Sequence, residues 1–222
     1  MQRKRNRLEK FQGSKFRWLN QTLYTTSSDS AKELFQDDTA LFDTYHEGYR
    51  QQIHDWPEKP IDRIEADIKT FFRKKRIVVA DLGCGEGCLA ERLRDMKKAT
   101  VRSFDLVSIK PHIEVADIAN LPLDTETVDI AVFSLSLMGV NHVQFIQEAH
   151  RCLKKFGTLI IAEVASRIPS VSEFLKSMKS LGFKLKHKDT ENPFFTYFRF
   201  IRASPISTVP DKLLEPGKYK KR

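Results

Sequence analysis

The chain has 222 residues, 41% of them hydrophobic and 30% charged, a globular composition long enough to bury its own core and too mixed to be disordered throughout. Lysine and arginine total 38 against 29 acids, a formal net charge of +9, with a pI near 9.4, a surplus that points to a nucleic-acid partner. No apolar run approaches the ~18 residues of a membrane span, the basic start lacks a secretory signal, and three cysteines make no disulfide framework, so a soluble protein of a reducing intracellular compartment is expected.

In chain order, residues 1–28 are basic and then Ser/Thr-rich and read as a partly mobile arm. Arg3, Lys4, Arg5, Arg7, Lys10, Lys15 and Arg17 crowd its start, and further basic clusters lie at 73–76, 184–188 and 218–222. The end clusters also match weak nuclear-import patterns. Residues 29–75 read as a helical cap. Ser30 and Glu33 spell a capping box. Leu41, Phe42, Tyr45, Tyr49, Ile53 and Trp56 recur at helical spacing up to Pro57. Pro60 opens a helix with Ile61, Ile64, Ile68 and Phe72 on one side.

From residue 76 the rhythm changes to short buried strands alternating with helices. Strands are expected at 77–80, 101–104, 113–116, 128–133 and 158–163, with helices after the first and at 141–155 and 170–181. In the helix at 141–155, Asn141 and Gln144 read as the capping pair and Gly157 as the stop; His142 and His150 read as surface residues. Ser170 and Glu173 cap the last helix, Phe174, Leu175 and Met178 read as its core face, and two strands at 183–188 and 194–202 close the domain, with residues 203–222 a basic tail. The alternation over 76–202 predicts a doubly wound, Rossmann-like α/β sheet, whose ligands bind beyond the carboxyl ends of its strands.

The first strand runs into Asp81-Leu-Gly83-Cys-Gly85-Glu-Gly87, a turn in which the backbone can approach a ligand closely. Asp105 follows the second strand, where a carboxylate accepts from both hydroxyls of a ribose, and Asp117 ends the third, where it accepts from an adenine amino group. Three ligands compete for such a turn. A dinucleotide site wants G-x-G-x-x-G, and Asp81 would repel a pyrophosphate. A phosphate-cradling loop needs a Gly-Lys-Ser/Thr that is absent. The ammonium and sulfonium of S-adenosylmethionine would instead be attracted, and acids ending three successive strands predict the class I methyltransferase fold.

Phe16-Arg-Trp-Leu-Asn-Gln-Thr-Leu-Tyr24, Leu41-Phe-Asp-Thr-Tyr-His-Glu-Gly48, Trp56-Pro57 with Pro60-Ile-Asp-Arg63, Phe104-Asp-Leu106 and Val132-Phe-Ser-Leu-Ser-Leu-Met-Gly139 together resemble the ribosomal RNA-processing protein 8 (nucleomethylin) family over residues 7–202. The resemblance implies a nucleolar, S-adenosylmethionine-dependent enzyme that methylates N1 of an adenine in large-subunit ribosomal RNA and releases S-adenosylhomocysteine. It implies cofactor contacts from His46, Gly83, Asp105, Asp117, Ile118 and Ser134, with ribosomal RNA, nucleolar chromatin or ribosome-assembly proteins as partners and no membrane. Family members often carry a long basic N-terminal extension, and this sequence begins almost at the family's conserved domain.

Two other functions fit the same residues: a scaffold that binds S-adenosylmethionine in nucleolar chromatin and silences ribosomal DNA without turnover, and a methyltransferase for protein or small-molecule acceptors. N1 lies on the Watson–Crick edge, so a target adenine must be unpaired or flipped and held by stacking. Phe16, Trp18 and Tyr24 either supply that stacking or pack the cap onto the core. Asn192-Pro-Phe-Phe195 reads as a hairpin turn, and Cys84 and Cys88 have no second ligand pair for a zinc site. No general base is identified.

Overall fold

The structure, a computed structural model, describes the backbone of residues 2–72 and 74–217 and the side chains of 13–72 and 74–217. The basic side chains read in the first 12 residues, Arg73 and the cluster at 218–222 lie outside the described residues. Four helices precede any strand: α1 (Gln2–Thr25), α2 (Ser28–Asp37), α3 (Ala40–Ile53) and α4 (Pro60–Phe72).

The segment expected as an arm is helical, and its apolar residues are packed. Phe16, Leu19, Leu23 and Tyr24, spaced for one side of a helix, are all buried, whereas Trp18 is exposed. Its basic and Ser/Thr-rich composition hides that stripe, so the boundary expected at residue 28 falls inside a packed unit. Helix α1 crosses α3 closely because α3 carries Gly48 at the contact: a Cβ there would stand 2.3 Å from Phe16 Cγ. Helix α2 starts earlier than the capping box suggests. Ser27 accepts the Ser30 N–H, and Asp29 in the first turn complements the helix dipole.

The strands are β1 (Ile77–Leu82), β2 (Ala99–Asp105), β3 (Ile113–Val115), β4 (Val128–Ser134), β5 (Leu153–Val164), β6 (Phe183–Asp189) and β7 (Phe195–Arg202); α5 (Cys88–Arg92), α6 (His142–Cys152) and α7 (Val171–Ser180) connect them. They form one seven-stranded sheet in the order β3-β2-β1-β4-β5-β7-β6. The first five run parallel, and β7 is antiparallel to both β5 and β6. Both faces are covered, which is why the central strands read as continuous apolar runs. Ala131, Phe133, Leu159 and Ile161 face α6 and α7 with Phe145, Ile146, Phe174 and Met178. Ile130, Val132, Ile160 and Ala162 face α4 and α5 with Ile64, Ile68, Leu89 and Leu93. A third cluster, including Leu19, Leu23, Phe35 and Phe42, joins α1, α2 and α3 and reaches Leu106 and Met138 at the strand ends.

Several local readings change. Helix α6 stops at Cys152 and β5 begins at the next residue, so Gly157 lies within a strand. The β4–β5 register shifts there, from Val128 opposite Leu153 to Ile130 opposite Thr158. Asn141 stands at the N-cap of α6 and pairs with Gln144 as read, but its side chain accepts no backbone N–H of the helix. Its side chain instead bonds Gln144 (3.0 Å) and the Ser28 hydroxyl (2.8 Å) and accepts the Ser28 N–H (3.0 Å), tying α2 to α6. His142 and His150 are buried, not on the surface. Asn192 does make the β6–β7 turn, accepting the N–H of Phe194 and of Phe195.

Residues 203–217 carry no helix or strand, yet they are strapped to the core. His142 Nε2 accepts the N–H of Leu213 (3.1 Å) and of Leu214 (3.2 Å), while its Nδ1 sits 2.8 Å from the Gly139 carbonyl. Arg167, 1% exposed, donates to the carbonyls of Glu215 (2.9 Å) and Leu137 (2.8 Å). Its guanidinium stands 4.5 Å over the Tyr24 ring and 2.9 Å from Glu163 Oε2. One buried cation thus joins α1, the end of β5, the strap and the loop after β4.

Candidate active site

The carboxyl ends of β1 to β4 meet the cap around a cavity of about 310 Å³, within the size range of small-ligand sites. Gly83, Gly85 and Gly87 have φ of 73°, 56° and 69°. The left-handed backbone turns the chain out of β1, and the Gly83 and Cys84 N–H groups both donate to the Phe104 carbonyl at 2.9 Å. At Gly85 the turn is also closed from above: a Cβ would stand 2.7 Å from His46 Cε1. The Arg50–Glu86 ion pair likewise ties α3 to the turn.

Asp105, last residue of β2, accepts the Gly85 N–H at 2.7 Å through Oδ2 and the Leu106 N–H at 2.8 Å through Oδ1. Each oxygen keeps a lone pair for a further donor. Asp117 stands two residues beyond the end of β3. Its Oδ1 accepts the Ala119 N–H at 2.8 Å, and no described residue donates to its Oδ2. Ser134 is the last residue of β4. His46, Gly83, Asp105, Asp117, Ile118 and Ser134, drawn from four strand ends and the cap, all line this one cavity.

The electrostatics are unusual. Asp81 is buried and also lines the cavity. Burial, and then the neighbouring charge of Asp105, push its carboxyl up to about 7. Burial raises Asp105 to about 6, against the opposing pull of its backbone N–H donors. No ion pair reaches either carboxylate from the described residues. Burial, and then the Arg50 charge, hold His46 down at about 4, so it stays neutral, its ring tilted against Phe42 at 4.3 Å. The walls are otherwise largely apolar, from Phe35, Phe42, Met138 and Phe145 on one side to Tyr49, Ile53 and Ile61 on the other. Phe42, Tyr45, Tyr49 and Ile53 are lining residues that sequence reasoning placed only in a packing stripe; their spacing on α3 around His46 was the available signal.

A family model described as "Hypothetical methyltransferase" matches residues 2–222. The "Ribosomal RNA-processing protein 8" of Dictyostelium discoideum is 50% identical over 192 residues, 86% of this chain and 48% of that protein. The chain belongs to the ribosomal RNA-processing protein 8 family. It is also 46% identical over 200 residues to the "25S rRNA (adenine(645)-N(1))-methyltransferase" of Schizosaccharomyces pombe, covering 86% of this chain and 63% of that one. The chain therefore spans about half to just under two thirds of the length of these two relatives. Among solved structures, the 1,6-didemethyltoxoflavin-N1-methyltransferase of Burkholderia thailandensis, crystallised with S-adenosylhomocysteine, superposes with a TM-score of 0.63 at 15% identity over 81% of this chain and 92% of its own. That likeness establishes the fold: within the ribosomal RNA-processing protein 8 family this chain has the class I methyltransferase architecture, its sheet ordered β3-β2-β1-β4-β5-β7-β6.

Proposed function

We propose that this chain binds S-adenosylmethionine in the cavity and transfers its methyl group to N1 of an adenine in large-subunit ribosomal RNA, in the nucleolus during ribosome assembly. The observation that carries the reading is the pair of carboxylates, Asp81 and Asp105, that no described ion pair reaches, in a pocket whose lining arginines, Arg50 and Arg92, are paired with Glu86, Asp62 and Glu65 instead. A ligand bearing positive charge and a ribose satisfies both; a phosphate would be repelled. The choice of acceptor follows the fission yeast relative, whose name specifies adenine N1 of 25S rRNA. The net charge of +9 suits an RNA partner.

Bound here, S-adenosylmethionine supplies an electrophilic methyl group on a positively charged sulfur. Asp105 offers the lone pairs left over from Gly85 and Leu106 to the ribose hydroxyls. Asp117 Oδ2 faces the adenine amino group, with Ile118 against the ring. Asp81 opposes the cationic end, and Gly83 lets the backbone pass close to it. Ser134 closes the floor toward the acceptor, and neutral His46 packs the turn from above without adding repulsive charge. The N1 lone pair of adenine is free at neutral pH, so no side chain need act as general base. The residues contribute alignment and exclusion of water.

Purified protein should transfer labelled methyl groups to ribosomal RNA from cells lacking the gene, and reverse transcriptase should then halt at one adenine. Asp105→Ala should weaken cofactor binding about a hundredfold in calorimetry, the loss of two hydrogen bonds to a charged acceptor, and remove the halt. A halt that survives in Asp105→Ala at low cofactor concentration overturns the assignment.

A further inference from the structure

Gly83, Asp105, Asp117 and Ile118 stand at the ends of β1, β2 and β3. The same cavity is lined by Ser134 and Leu135 at the end of β4, by Tyr49 and Ile53 of α3 and by Ile61 of α4. Leu135 is held there with φ of 57°, its N–H fixed to the Ala162 carbonyl at 2.8 Å. Aliphatic side chains and an aromatic ring make a slot suited to a flat heterocycle.

Tyr49 differs from Tyr45 and Tyr197. Tyr45 spends its hydroxyl on Met138 Sδ (3.0 Å) and Tyr197 spends its own on Asp67 (2.8 Å). No described residue hydrogen-bonds to the Tyr49 hydroxyl, although its ring is fixed edge-on to His46. Burial first, and then the charges of Cys88, Glu163, Asp81 and Glu86, keep this phenol protonated well above its ordinary range. With its hydroxyl spent on no described residue, Tyr49 keeps its oxygen lone pairs for the cavity that it lines.

Resting on the adenine-N1 reading, we propose that Tyr49 reads the target base, its phenol oxygen accepting a hydrogen bond from the exocyclic N6 amino group. N6 and N1 are neighbours on one edge of the ring, so an acceptor at N6 also sets the direction in which N1 faces the methyl group. As the N1–C bond forms and the S–C bond breaks, positive charge arrives on the ring and is shared with N6. The bond to Tyr49 therefore strengthens toward the transition state, and its worth falls on kcat more than on KM.

The test uses the full chain and a synthetic oligoribonucleotide spanning the mapped reverse-transcription stop, with adenosine or purine riboside (which lacks the amino group) at that position. Tyr49→Phe should leave cofactor affinity within about twofold and lower kcat on the adenosine substrate about tenfold to a hundredfold. Wild type should lose a similar factor on the purine riboside substrate, and Tyr49→Phe should lose little more there, because the bond is already missing. Equal losses on both substrates, or unchanged kcat, overturn the assignment of Tyr49. The wild-type purine riboside measurement stands even if the variant folds poorly: undiminished kcat there also overturns it. A wild-type protein that takes up cofactor but methylates no adenosine RNA overturns the adenine reading itself, and Tyr49's role with it.

Discussion

Asp81 and Asp105 carry protons in the ligand-free fold at pH values where the same groups in an unfolded chain have lost them. Their carboxyls sit at about 7 and about 6 against an ordinary 3.8. The folded state therefore binds more protons between about pH 4 and 7, and the contribution of these two groups to stability declines as pH rises through that window. A cation placed beside them reverses the balance by expelling the protons. Affinity for S-adenosylmethionine should accordingly rise about tenfold or more from pH 5.5 to 8, with protons released on binding near pH 6. Calorimetry in buffers of different ionisation enthalpy measures that release directly; identical heats would mean the carboxylates do not face the cation. Asp105 and Asp117 were legible in the sequence because strand ends plus acids are a local pattern. His46 came only from the family resemblance and Tyr49 only as part of a packing stripe: a stripe on α3 says which face is packed, and only the tertiary placement of α3 over the glycine turn says what it faces.

At the level of elements, the glycine turn and α3 form one unit, since Gly85 and His46 leave no room between them. Gly85→Ala must place a side chain at φ of 56°, costing about 1–2 kcal/mol, and must also push His46 away. Thermal unfolding should show a loss of several degrees, and cofactor binding should fall with it. His46→Ala in the same background should recover part of the stability, which would show that the contact and not the backbone alone is at fault. The parallel strands were readable because burial on both faces leaves uninterrupted apolar runs such as Ile77-Val-Val-Ala80. The α6–β5 junction was not, because the bulge around Gly157 places a glycine where a helix stop would also put one. Helix α1 was masked for a related reason: Arg17, Asn20, Gln21 and Thr22 lie between Phe16, Leu19 and Leu23 and make the segment read as polar, while burial depends on spacing.

Across the whole molecule, Arg167 is the point where distant segments are fastened. With Glu163 it forms an ion pair whose members are each 1% exposed. Arg167→Met strands the Glu163 carboxylate in the core and releases the carbonyls of Leu137 and Glu215. A loss of about 3–5 kcal/mol is expected, roughly 10 °C in a domain of this size. Thermal unfolding of Arg167→Met beside the double variant Glu163→Met/Arg167→Met checks this, since removing both charges should restore much of the loss. His142 adds a dependence opposite to that of the acids. Burial, only partly offset by its bond to the Gly139 carbonyl, holds it down at about 4, so its grip on the strap is lost as pH falls from about 6.5 through 4. The strap follows every helix and strand in the chain, so during synthesis Leu213, Leu214 and Glu215 emerge after the sheet they fasten. Until they do, Arg167 and His142 each lack part of what holds the loop after β4 in place, and a nascent chain with a finished sheet still has an unfinished cavity wall.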